Sequence, residues 1–296
     1  MAITFGDNQY GKAEVRLVRV TRDGDRHRIK DLNVSTSLRG DFADAHLIGD
    51  NAKVVATDTQ KNTVYAFAQQ YGVGEIEEFG LRLGRHFVDD FEWVTGAQVR
   101  IEEYGWDRIT SDGAEHDHAF SRAGGGTRTT VVTVDGPSAW VVSGLTDLTV
   151  LKSTGSEFWG FPRDRYTSLG ETSDRILATA VTARWRYGSL AVDWAKAYAD
   201  VRRILLESFA AKHSLALQQT LYTMGADVLK AHPEVAEIRM SMPNQHHFLV
   251  DLSPFGLPNE REVYYAADRP YGLIEGTVLR DDAPDAGRAW QAIPGF

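Results

Sequence analysis

The stretch AEVRLVRVTRDGDRHRIKDLNV, residues 13–34, alternates apolar and polar side chains through Ala13, Val15, Leu17 and Val20, meets Asp23-Gly24, and resumes toward Ile29 and Val34. A period of two marks a half-buried strand, and an Asp-Gly pair between two such runs marks a hairpin turn. The chain therefore opens on a β-hairpin. Between Lys53 and Gln70 a short apolar run gives way to Thr57-Asp58-Thr59, followed by Val64, Phe67 and Ala68 at helical spacing. Asp58 or Thr59 is the expected N-cap. From Glu75 to Trp93, Ile76, Phe79, Leu83, Phe87 and Phe91 recur every three or four residues, the pattern of an amphipathic helix. Strand-like runs at Gln98 to Ile109 and Thr127 to Asp135 follow, separated by a polar, Gly-rich loop that includes Gly124-Gly125-Gly126. The first half reads ββααββ.

The second half repeats that order. Strands are expected near Ala139 to Lys152 and Ile176 to Val192, the latter containing a turn at Tyr187-Gly188-Ser189. Two helices come next, one with Trp194, Tyr198, Val201, Leu205 and Phe209 on a face, the other with Leu221, Met224 and Val228, stopped by His232-Pro233. Strands near Ile238 to Met242, His247 to Leu252 and Leu273 to Leu279 complete the pattern, with a turn expected at Asn244-Gln245-His246-His247, after Met242-Pro243. An α+β protein of two tandem modules, residues 1–136 and 137–296, each an antiparallel sheet backed by helices, accounts for the order. Open sheet edges invite pairing between chains, so a homo-oligomer is expected.

Composition narrows the chemistry. The 296 residues include no cysteine, which removes disulfides, iron–sulfur clusters, thiolate zinc sites and cysteine nucleophiles. With 32 Lys plus Arg against 41 Asp plus Glu, the formal charge is −9, so neither nucleic acid nor an anionic membrane is an expected partner. The opening MAITFGDNQYGKAEV has no basic start and apolar core of a signal peptide, and a cytoplasmic location is expected.

Single motifs decide little. Tyr10-Gly11-Lys12 matches no phosphate-binding loop. His116-Asp117-His118 could offer two imidazoles on one strand face to zinc or copper, but no third ligand is fixed by spacing. Asn244 and the two histidines after it could cap a turn or face a ligand. The segment LTVLKSTGSEFWGFPRDRYTSLGETSDR, residues 148–175, carries more: it gathers Phe158, Trp159, Phe161, Tyr166, Arg163 and Arg175. Aromatic faces beside a guanidinium suit a flat anionic heterocycle, which stacks on the ring and accepts in-plane hydrogen bonds. A packed aromatic corner is the competing reading.

That segment, together with VVATDTQKNTVYAFA (54–68), LALQQTLY (215–222) and MPNQHHF (242–248), closely resembles the cofactor-free urate oxidases, with similarity from Tyr10 to about Arg280. The resemblance implies two T-fold modules, a tunnel-shaped homotetramer with active sites between subunits, urate and O2 as substrates, and no cofactor or metal. It implies that urate stacks on Phe158 and is gripped by Arg175 and Gln218, with the Leu217 amide, Thr57 and Asp58 completing the contacts. Lys12, Thr57 and His246 would relay protons, and Asn244 would face the water or oxygen species above the ring. Leu217 stands where valine is common, and Gln245 where a basic residue is common. The ending Ile293-Pro294-Gly295-Phe296 lacks a peroxisomal Ser-Lys-Leu-type address. Two rivals remain: a metal-dependent T-fold enzyme of purines or pterins using His116 and His118, and a non-catalytic purine-binding protein.

Overall fold

The computed structural model describes residues 2–291; the ending Ile293-Pro294-Gly295-Phe296 lies outside them. The described chain forms two compact units, one of residues up to Gly144, Arg186–Ala195 and those from Pro284 on, the other of Leu145–Trp185 and Lys196–Ala283.

In the first unit, β1 (Tyr10–Thr21) and β2 (Arg28–Gly40) form the expected hairpin, with Gly24 at φ 76° in its turn. A short helix, α1 (Ala43–Leu47), leads to α2 (Thr57–Gln70) and α3 (Ile76–Asp89). β3 (Val94–Tyr104) pairs antiparallel with β2 and, on its other side, with β6 (Thr127–Asp135). The apolar stripe of α3, Ile76, Phe79 and Leu83, is buried against Leu32, Val34, Val99 and Ile101 of the sheet. α3 approaches the sheet through glycine: a Cβ on Gly80 or Gly84 would lie 2.7 or 2.8 Å from a methyl of Val132 or Val134. A larger residue there would have to lift the helix or displace the valine.

Two expectations for this unit are corrected. α2 begins at Thr57 after Ala56, so neither Asp58 nor Thr59 is its N-cap. Asp58 instead sits in the first turn, where its negative charge favours the helix dipole, and it holds Lys61 and Asn62. The segment between Ile109 and Thr127 is largely a hairpin of β4 (Trp106–Ser111) and β5 (Ala114–Arg122). Its turn, Asp112-Gly113, has both residues at positive φ, the geometry that an Asp-Gly pair favours in a two-residue hairpin loop. The hairpin is mostly exposed, so it lacks the apolar alternation that would have announced it.

β7 (Ser138–Lys152) and β8 (Leu177–Tyr187) each contribute residues to both units. β8 ends at Tyr187, where the Tyr187-Gly188-Ser189 turn is expected, and the strand does not resume toward Val192. After α4 (Trp194–Ala211), the second unit holds α5 (Leu217–Ala231), β9 (Val235–Leu249), a 3-10 turn at Ser253–Phe255, and β10 (Tyr264–Leu279). Here too the helix meets the sheet through glycine, Gly225 against Val278 and Gly276 against Leu221. The turn expected at Asn244-Gln245-His246-His247, after Met242-Pro243, is absent, because β9 runs straight through it. Pro243 is accommodated beside an irregularity in the ladder: Asn244 pairs with Gly272, whereas His246 pairs with Ala267. β10 is also longer than its expected Leu273 to Leu279.

Candidate active site

The segment 148–175 turns on itself through backbone pairing. Phe158 and Thr172 exchange hydrogen bonds of 2.9 and 3.0 Å, and the Arg175 amide donates to the Ser156 carbonyl at 2.8 Å. These contacts place the Arg175 guanidinium carbon 5.4 Å from the centre of the Phe158 ring, which stacks on Phe161 at 4.9 Å and 12°. Arg175 Nε is buried without a hydrogen-bond partner among the described residues. An unpaired buried donor is costly and is satisfied when a ligand supplies an acceptor. Burial also pulls the guanidinium below its ordinary pKa, though it stays charged at neutral pH.

Phe158 and Arg175 line a cavity of about 330 Å³ in the second unit, together with Asn244 and His246 from β9. Asn244 is buried, and His246 stacks against Phe248 at 5.7 Å. The His246 imidazole is held below its usual range, first by burial and then by the charges of Arg175 and His247. It is therefore neutral near pH 7 and able to accept a proton.

The start of α5 is tied to the same segment. Ser156 bridges Ser214, with Glu157 N donating to Ser214 O at 2.8 Å and Ser214 N donating to Gly155 O at 2.9 Å. The Ser214 and Thr220 hydroxyls meet across the first turn. α5 begins at Leu217 after Ala216, so the Leu217 amide is one of the donors that a helix start leaves without an internal acceptor. The Leu217 side chain is buried and Gln218 is exposed; neither lines the cavity.

Lys12, Thr57 and Asp58 belong to the first unit. Lys12 is half-buried where the β1–β2 register shifts, and its amide donates to Thr36 Oγ1 at 3.4 Å. That hydroxyl donates at 2.7 Å to buried Gln60, whose side chain reaches Val55 O. Gly11 permits the close approach: a Cβ would overlap the Thr36 carbonyl oxygen at 1.8 Å. Thr57 and Asp58 are exposed, and Lys61 beside Asp58 holds its carboxyl below the usual range, with a smaller contribution from Lys12.

His116 and His118 lie on β5 with ring centres 4.5 Å apart, and His27 is 5.7 Å from His118. Among the described residues no group of three or more His, Cys, Asp or Glu side chains is arranged to hold a metal ion. The cavity also contains residues that motif reading passed over: Asp174, Arg261 and Tyr264. Asp174 could have been noticed as the neighbour of Arg175. Tyr264 belongs to the part of β10 that the sequence left unassigned.

The family model described as Uricase matches residues 8–133 and again 141–275, two tandem repeats. The chain is 43% identical to the uricase of Dictyostelium discoideum, covering 94% of this chain and 98% of that one. It superposes on the crystal structure of the uricase from Arthrobacter globiformis with a TM-score of 0.92 at 60% identity, covering 96% of this chain and 98% of that one. Since the chain is also 59% identical to the curated Arthrobacter globiformis uricase over 294 residues, 99% of its own length and 96% of that protein's, it belongs to the uricase family, a family of oxidoreductases.

Proposed function

We propose that the chain is a cofactor-free urate oxidase, converting urate, O2 and water to 5-hydroxyisourate and H2O2. The observation that supports this most directly is the cavity in which Arg175, its Nε without a partner among the described residues, stands 5.4 Å from the centre of the Phe158 ring and shares the lining with a neutral His246. A flat purine anion stacks on Phe158 and accepts in-plane hydrogen bonds from Arg175, from Gln218 and from the amide of Leu217.

Urate already carries one negative charge at neutral pH, and loss of a second proton makes it a stronger reductant. In this reading Lys12 takes that proton through Thr57. The dianion gives two electrons to O2, which with two protons becomes H2O2; water supplies the new hydroxyl at C5 and releases a proton. His246 moves protons to and from the species above the ring, held there by Asn244. The electrons come from the substrate, so the chain needs only to bind, orient and transfer protons.

Lys12, Thr57 and Asp58 reach the cavity from a neighbouring subunit in this proposal, within a homotetramer that pairs exposed sheet edges. The cytoplasm is its proposed location. The test is oxygen uptake and peroxide release on adding urate to protein dialysed against a strong chelator, with xanthine as control and light scattering for subunit number. Urate-specific turnover by a tetramer is expected. Activity that disappears on chelation and returns with one metal would overturn the cofactor-free mechanism.

A further inference from the structure

One carboxylate ties together the segments that carry the aromatic and cationic anchors. Asp174 Oδ1 accepts the Thr154 hydroxyl at 2.9 Å and the Gly155 amide at 3.0 Å, and Oδ2 lies 3.2 Å from Arg261 Nη2. The Asp174 carbonyl accepts a second bond from Arg261 and one of 2.8 Å from the Thr172 hydroxyl. Three stretches meet here: the turn leading into Phe158, the approach to Arg175, and the connection before β10 that supplies Arg261.

Charge makes the arrangement more than a structural tie. Asp174 and Arg261 both line the cavity. A bare carboxylate would repel an anionic ligand, whereas one paired with Arg261 is neutralised and leaves the Arg175 charge uncompensated for the substrate.

We propose that Asp174, clamped by Arg261, is a positioning residue: it fixes the Phe158 ring and the Arg175 guanidinium in the arrangement that grips a flat purine anion, and so governs affinity rather than the proton- and electron-transfer steps. This rests on the urate-oxidation reading. It predicts a sign pattern that loss of packing alone would not give, because removing the cation should hurt more than neutralising the carboxylate.

The experiment compares wild type with Asp174→Ala, Asp174→Asn, Arg261→Gln and the Asp174→Asn/Arg261→Gln pair. Calorimetry with urate under nitrogen reads binding without turnover; oxygen uptake then gives kcat and KM. Asp174→Ala should raise both the anaerobic Kd and KM about tenfold or more, with kcat within about twofold of wild type. Asp174→Asn keeps an acceptor for Thr154 and Gly155 and should recover most of that affinity. Arg261→Gln should bind more weakly than Asp174→Asn, and the double variant should bind better than Arg261→Gln alone. Unchanged Kd and KM in a folded Asp174→Ala, or a loss confined to kcat, would overturn the proposal. If Asp174→Ala does not fold, the order of the other three decides: Arg261→Gln binding as well as Asp174→Asn, or no recovery in the double variant, would equally overturn it. Wild type that neither binds nor oxidises urate defeats the functional reading as well, whereas turnover by wild type with unchanged variants defeats only the clamp.

Discussion

The guanidinium carbon of Arg175 stands 5.4 Å from the centre of the Phe158 ring, and backbone hydrogen bonds on both residues hold it there. The pair works as one unit because Arg175 also offers a buried donor with no partner among the described residues. Arg175→Lys should therefore fail to substitute, since an ammonium lacks the planar fork. We expect its urate kcat/KM to fall about 100-fold, and Phe158→Leu to cost about tenfold, mostly in KM. Steady-state oxygen uptake checks both.

Lys12 offers a different separation. Its proposed work is proton removal, so Lys12→Met should lower kcat by about 100-fold or more while anaerobic urate affinity changes little. Full turnover at neutral pH by this variant, as an intact oligomer, would remove Lys12 from the mechanism.

His246 sets an acid limit. Its imidazole is depressed by burial and by Arg175, so it stays neutral down through the ordinary histidine value of about 6.5 and takes a proton only below it. The acid limb that it contributes to kcat/KM should lie below that pH, and His246→Asn should remove the limb along with much of the rate. The linked stability has the same sign. Between the lowered folded value and the ordinary unfolded value the unfolded state binds more protons, so stability rises with pH and is lost as pH falls through that window. Unfolding midpoints across that range, with and without His246→Asn, measure it.

In the first unit, Glu77 is fully buried and accepts bonds from Arg128 at 2.7 Å and Ser143 at 2.6 Å. Burial pushes its carboxyl up even though Arg128 opposes the shift. Arg128→Met would strand this charge and take a partner from Glu75 and Glu103. A loss of about 3–5 kcal/mol is expected at pH 8, and less at pH 5, where Glu77 can take up a proton. Urea denaturation at the two values tests the magnitude and its direction.

The elements that the sequence announced are those that bury one face. α3 shows its period because Ile76, Phe79, Leu83 and Phe87 are all in the core, and β1–β2 shows alternation because Val15, Leu17, Leu32 and Val34 are. The β4–β5 hairpin was hidden because little of it is buried, leaving Asp112-Gly113 as its only signal. Pro243 concealed the continuity of β9, since the register change that accommodates it is a property of two strands and is invisible in either alone. At the site, Phe158 and Arg175 were legible because one continuous segment carries both. Arg261 was not, because only folding brings it to Asp174, 87 positions away.

The first unit is not a continuous stretch of chain. Arg186 donates to the Pro284 carbonyl at 2.9 Å, Arg288 pairs with Asp135 at 2.9 Å, and the Gln98 side chain donates to Gln291 O at 3.0 Å. A ribosome that has delivered the whole opening hairpin and the three helices after it has still not delivered the residues that close this unit. These bonds of Arg186, Asp135 and Gln98 can be made only after residues 284–291 have emerged, so this unit is completed later than its place at the start of the chain suggests.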